Sequence, residues 1–362
     1  MAFDVWLENR TPFAAATHVQ LNADGQEVLV AMLSASFESP ESNGALRPAA
    51  EQLPVTFGDV PFGDPSLSSN RYEADIAPVK PAAEVIVNAT AHAPNGKPVR
   101  EMQVGLSIGN VRKVLNVAGD RIYDAGSYSA PNPFRTMPIV YERAYGGTTQ
   151  DGRAEPRNPV GVGFHHAASA DPAVRTQAPN ITYPGEPVLS PADRPRPAGF
   201  AALGRGWQPR LGFAGTYDQN WVDTQWPLPP KDFDPRHHLC APADQQLPRL
   251  TGGEDVSLVG LTPTGRWSFR LPRITAPVRL IYDDRVVVHA FAPDTVIIEP
   301  DLWRVTLKAR LSFVTRRNAP ALREIVFGHV TPALLLARRK RKEYLSPLGG
   351  DGTLRDQPVW QP

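Results

Sequence analysis

Cys240 is the only cysteine in the 362 residues. No intrachain disulfide can form, and the chain suits a reducing compartment. An excess of one charge is missing too. The 38 basic residues face 37 acidic ones, and without a net field neither nucleic acid nor an anionic membrane is an expected partner. No apolar run approaches the roughly 20 residues of a membrane-spanning helix. Met1-Ala2-Phe3-Asp4-Val5-Trp6 lacks the basic flank and apolar stretch of a secretory signal. The expectation is a cytoplasmic protein.

Proline is what the chain has in quantity, 39 residues beside 28 glycines. It fixes φ and lacks a backbone donor, so it excludes long helices and central strands wherever it concentrates. Away from those places, period-two patterning predicts strands. Ala14 to Asn22 and Gln26 to Glu38 flank the turn Asn22-Ala23-Asp24-Gly25. Val85, Val87, Ala89 and Ala91 share one face, and Met102, Val104, Leu106 and Ile108 alternate with polar residues after the Asn95-Gly96 turn. Another strand begins at Val114, Leu115 and Val117. Residues 1–130 therefore read as an antiparallel β domain with one solvated face.

Periodicity lapses from 131 to 254, where Gly, Pro and aromatic residues recur in short clusters. So long a loop without structure is improbable in a compact domain, and an ordered irregular layer over the sheets is expected. Strands resume across 255–330, at Val256 to Leu261, Arg266 to Leu271, Val278 to Tyr282 and Val286 to Phe291. Alternation is clearest from Trp303 to Phe313. The last segment, 331–362, holds one expected helix, capped by Thr331 with Pro332 at its first position and running to Leu345. Its end is basic, from Arg338 to Lys342. The fold class is thus mainly β: antiparallel sandwich-like segments at both ends, a long ordered irregular segment between them, and one short C-terminal helix.

Candidate chemistry is incomplete wherever it arises. His165-His166 and His237-His238 with Cys240 invite a metal, but His238 and Cys240 have no second arm of ligands, and adjacent histidines on extended chain point apart. Cys240 lacks a base partner and reads as a small buried thiol. Asp232 and Asp234 beside Trp221 and Trp226 sketch a sugar cleft, on which a carbohydrate-active or sugar-binding β-sandwich is the alternative function. Their Pro-rich setting favours turn and capping roles. No P-loop, dinucleotide fingerprint or Gly-x-Ser-x-Gly occurs. No cofactor, metal or catalytic residue is expected.

The middle segment carries an ordered series of short motifs. Tyr141-Glu142-Arg143-Ala144-Tyr145-Gly146-Gly147 is followed by Asn158-Pro159-Val160-Gly161-Val162-Gly163, then Trp207-Gln208-Pro209-Arg210. Tyr217-Asp218-Gln219-Asn220-Trp221 comes next, then Pro229-Pro230-Lys231-Asp232, Asp244-Gln245 and Gly252-Gly253-Glu254. In this order they resemble the bacterial family "domain of unknown function 2169" over about residues 15 to 315. Phe200-Ala201-Ala202 departs from the pattern, where a further glycine and proline are expected. The resemblance implies an adaptor or chaperone for a type VI secretion effector, with the valine-glycine-repeat spike protein VgrG or its PAAR-domain cap as second partner. Physically, most of these motif residues are expected to hold the fold. Arg143 with Glu142, and Arg210 with Asp218, are candidate ties between loops. Exposed Trp, Tyr and Arg would anchor a partner.

Overall fold

The computed structural model describes residues 5–40, 45–124, 126–165, 176–314, 321–346 and 349–362. Both ends of the chain contribute to one seven-stranded sheet. Ala14–Leu21 (β1) and Glu27–Glu38 (β2) form the expected hairpin. Its turn is closed by the Asn22 side chain, which accepts from the Asp24 and Gln26 N–H groups at 3.1 and 2.9 Å. Ala83–Val87 (β3), Pro293–Glu299 (β4) and Arg304–Val314 (β5) complete the sheet in the spatial order Gln246–Leu247, β3, β4, β5, β2, β1, with Arg47–Pro48 beside β2. β5 pairs with β2 along its whole length, from Arg304 opposite Glu38 to Val314 opposite Val28. Most pairings are antiparallel, as expected. β3 and β4 run parallel, because the chain between them is a long crossover rather than a hairpin.

Two smaller sheets pack on one face of this centre. One has five strands: Ile181–Thr182, Val111–Ala118, Glu101–Ile108, Asp255–Val259 and Arg266–Arg270. The other has four: Trp6–Asn9, Leu322–Phe327, Pro277–Tyr282 and Val286–Ala290. Leu29, Leu33 and Phe37 of β2 join Leu106, Leu115 and Trp267 of the first and Leu280 and Phe327 of the second in a single apolar cluster. Alternation is kept in Glu101–Ile108 and Val111–Ala118, whose outer face is wet. The single solvated face expected for residues 1–130 fails at β2 and β3, which are buried on both sides. The reason is a second layer of irregular chain over the other face.

Helix is scarce. Beyond the expected C-terminal one, a short helix Gln219–Thr224 (α1) is capped by Asp218, which accepts from Trp221 N–H at 2.9 Å. Thr331 caps Pro332–Arg339 (α2) through Leu334 N–H. The expected extent to Leu345 is corrected here: Arg341 takes a left-handed φ of +53°. The chain then folds back so that Tyr344 packs with buried Leu334. Among the described residues no helix is long and apolar enough to cross a membrane.

Candidate functional site

The face of the central sheet turned away from the apolar cluster is charged and nevertheless buried. Glu84 of β3, Thr295 and Glu299 of β4, and Thr306 and Lys308 of β5 all lie there, out of solvent. Over them lie residues 45–80 and 200–246, whose Leu53, Tyr72, Ala202 and Cys240 pack against Ile86 and Ile297. Lys308 Nζ donates to Asp75 Oδ2 at 2.6 Å, and Lys80 Nζ to Glu84 and to Thr295 Oγ1. Arg310 grips Asp294 through two N–H groups at 2.6 and 3.0 Å. Glu299 receives Arg71, Arg304 and the Tyr72 hydroxyl at 2.8, 2.8 and 2.6 Å. Burial alone would raise the Glu84 carboxyl. The Lys80 ammonium and the Ala241 N–H outweigh it and hold the group below the usual carboxylate range.

Cys240 belongs to this packing. Its N–H and Sγ both reach Glu84, at 2.7 and 3.4 Å. Burial, and then the neighbouring carboxylate, push the thiol well above its ordinary range, which makes it a poor nucleophile. His238 packs against Phe233 and is pushed down to about 4 by burial and then by the neighbouring His237, Lys80, Arg310 and Arg210. His237 Nδ1 lies 2.9 Å from Arg210 O, and His165 Nε2 lies 2.6 Å from Thr176 Oγ1. His166 falls outside the described residues.

The motif residues of the middle segment tie irregular chain to itself and to the sheets. Tyr141 stands edge-on to Trp207 at 5.6 Å. Each ring rests on a glycine: a Cβ on Gly199 would come within 2.9 Å of Tyr141, and one on Gly204 within 2.7 Å of Trp207. Gly146 and Gly147, at φ +150° and +115°, carry the chain from buried Tyr145 past Asn158. The Asn158 amide donates to Tyr141 O and Tyr145 O at 2.8 and 3.0 Å. Pro159 O accepts from Thr148 Oγ1 at 3.0 Å. Glu254 accepts from Thr251 N–H at 2.8 Å. Gln245, fully buried, donates to Val85 O and Phe200 O at 2.7 and 2.9 Å. Asp244 takes Lys113 Nζ at 2.8 Å and the Tyr183 hydroxyl at 3.0 Å.

The expected loop ties are made with other partners. Glu142 accepts from Ser69 N–H and Oγ at 2.7 and 2.8 Å rather than from Arg143. Arg143 reaches Asn180 Oδ1 at 3.2 Å and Asp120 Oδ1 at 3.4 Å. Arg210 is buried and pairs with Glu73 at 2.8 Å, not with Asp218, which caps α1. Asp232 accepts from Thr216 N–H and Oγ1 at 3.0 and 2.7 Å, and Asp234 from Arg236 N–H at 2.9 Å and its guanidinium. Those donors lower both carboxyls. Sequence reasoning missed the ion pairs of Asp75, Lys80, Asp294, Lys308 and Arg310. Their one signal was charge at alternate positions of β5.

The outer surface of the cover is unlike its inner one. Tyr217 is 57% exposed and Trp226 67% exposed, and Phe57, Leu67, Leu211 and Val222 are exposed as well. The loop that carries Tyr217 and Trp226 is held in place. Trp221 meets Tyr217 edge-on at 4.8 Å and donates from Nε1 to Leu228 O at 3.0 Å. Gln225 Nε2 donates to Ala23 O at 2.7 Å and Pro229 O at 2.9 Å, pinning the loop to the β1–β2 turn. The arrangement presents large amphipathic rings at low ordering cost, which is what a protein-binding surface needs.

No curated protein and no solved structure matches the chain. One family model does, along residues 24–310, a range that takes in β2, β3, β4, most of β5 and the whole cover but not β1. The chain belongs to the bacterial family described as "uncharacterized protein conserved in bacteria (DUF2169)".

Proposed function

We propose that the protein is a non-catalytic adaptor that binds a type VI secretion effector in the cytoplasm and holds it for loading onto the VgrG spike or its PAAR-domain cap. The observation that carries this reading is the pair of exposed rings, Tyr217 and Trp226, on a pinned loop of the cover. Stable recognition buries around 1,600 Å² with a few aromatic or arginine anchors. The cover supplies such rings, and also an arginine, Arg205, whose guanidinium is held in place by Asp59 and Glu73. The motif series from Tyr141 to Glu254 supports the same role through the resemblance it carries.

The test is co-purification with a neighbouring effector and spike protein, together with effector delivery in cells lacking the adaptor. Loss of loading is the expected result; unchanged loading overturns the proposal. A sugar-binding module is the second reading, favoured by the open ring of Trp226. It supports binding rather than hydrolysis, because a glycosidase acid needs a raised pKa and Asp232 and Asp234 are both lowered. A glycan array without hits removes it.

A further inference from the structure

We infer that β1 is a homodimerisation edge, pairing antiparallel with β1 of a second copy so that the central sheet continues across a two-fold axis. β1 is the outermost strand of that sheet and eight residues long, and its register with β2 is unbroken. Among the described residues, no backbone N–H or C=O of β1 facing away from β2 has a hydrogen-bond partner. Edge strands in monomers are normally guarded by charge, proline, bulges or shortness. Ala-Ala-Ala-Thr-His-Val-Gln-Leu has none of these guards. The five-stranded sheet differs, since its edge Arg266–Arg270 exposes an arginine at each end.

The strand also fits itself. Its first three residues are alanines and its last three are Val19, Gln20 and Leu21, so antiparallel pairing sets small side chains opposite large ones. Residues opposite each other in an antiparallel ladder must share hydrogen-bonding direction. That leaves two central registers, with Thr17 opposite Thr17 or His18 opposite His18. In the first Ala15 faces Val19, and in the second Ala15 faces Leu21. A charged or bulky edge partner has no such match, and a second copy is the occupant that the strand's own pattern specifies.

Sedimentation of the full chain tests this. The wild type is expected to dimerise with rising concentration, and Val19→Lys, at an exposed position, to stay monomeric and to melt like the wild type at concentrations too low for the dimer. Thr17→Cys or His18→Cys provides a second readout, since a residue next to the axis lies within disulfide reach of its copy. The native thiol is buried and does not compete. One of the two is expected to form a covalent dimer on mild oxidation, and Val288→Cys, on the edge strand Val286–Ala290, is not. A monomer at every concentration overturns the inference. So does a dimer that survives Val19→Lys, or one abolished by Val288→Lys alone. Should Val19→Lys melt early, the cysteine variants decide.

Discussion

On one face of the central sheet Leu29, Leu33, Phe37, Val87 and Leu307 meet two other sheets; on the opposite face Glu84, Glu299, Lys308 and Arg310 meet irregular chain. Both are buried, but what covers them differs. A sheet lying on a sheet already has its backbone donors and acceptors satisfied, so apolar shape is enough to hold it. The cover has few ladder bonds of its own. Side chains fix its course instead: Asp75 by Lys308, Glu73 by Arg210, Ser69 by Glu142. Buried ion pairs contribute little net stability, because desolvation offsets attraction, yet they accept only one geometry. The charged face therefore positions a loop layer that the apolar face alone would leave free to slide.

The contrast is tested most strongly by removing one group from each face. Phe37→Ala deletes a ring packed on Phe13 and Trp360 and is expected to cost ~3–5 kcal/mol in urea unfolding. Glu84→Ala leaves the Lys80 ammonium buried without its carboxylate, and a similar loss of ~3–5 kcal/mol is expected. The faces should separate in the double variant. Lys80→Met with Glu84→Gln removes both charges, keeps an oxygen for the Cys240 and Ala241 N–H groups, and should recover most of the loss. A double variant as unstable as Glu84→Ala would show that the pair itself, rather than the orphaned charge, supports the fold.

Titration sharpens the same contrast. The Glu84 carboxyl is lowered on folding, so its contribution is complete above the ordinary carboxylate pKa and is lost as pH falls through the lower folded value. Lys113 offers a second test at the other end of the pH scale. Burial pushes it down to about 8 despite Asp244 beside it. Between about pH 8 and its ordinary pKa of 10.5 the unfolded chain holds the proton and the folded chain does not, so stability rises with pH. Chemical unfolding across that window should show wild type gaining up to ~3 kcal/mol relative to Lys113→Met. A parallel pH dependence in the two proteins would mean that Lys113 is hydrated.

A further effect is expected in the irregular chain around Tyr145 and Asn158. Gly146→Ala would put a Cβ 2.1 Å from Asn158 O at a φ of +150°; the φ alone costs ~1–3 kcal/mol, and the clash with backbone adds to it. The loss should appear first as faster hydrogen exchange in residues 144–164, with the central strands unaffected.

Much of this division was legible before the structure. Alternation located the strand through Met102 and Ile108 and another at Val114 to Val117, whose true start is Val111, and Asn22 to Gly25 announced the β1–β2 turn. The aperiodic middle was readable as an ordered layer because so long a structureless loop is improbable in a compact domain. The burial of β5 on both faces was not legible. Thr306, Lys308 and Arg310 alternate as a wet face would, and the carboxylate that meets Lys308 lies 233 residues away. Local pattern reports that a side chain is charged, not whether water or an acid neutralises it. For the same reason Arg210 was matched to nearby Asp218, when its partner Glu73 is 137 residues distant. The helix end was overestimated because a favourable run of residues continues past Arg338, while only Leu334 is buried along it.

The least destabilising change expected is on the outside of the cover. Tyr217→Ala and Trp226→Ala remove rings that are largely in water already, so each should alter stability by no more than ~0.5 kcal/mol. Trp221→Ala is the internal contrast, since its indole N–H holds Leu228 O and its ring supports Tyr217. If the cover exists to present a surface, Tyr217→Ala and Trp226→Ala should lower effector capture about tenfold or more while melting like wild type. Trp221→Ala should lower both capture and melting temperature. Equal capture by all four proteins would place the binding surface elsewhere and leave the ion-paired face with a purely architectural role. Capture that falls only with Trp221→Ala would make the loop's shape, rather than its open rings, the recognised feature.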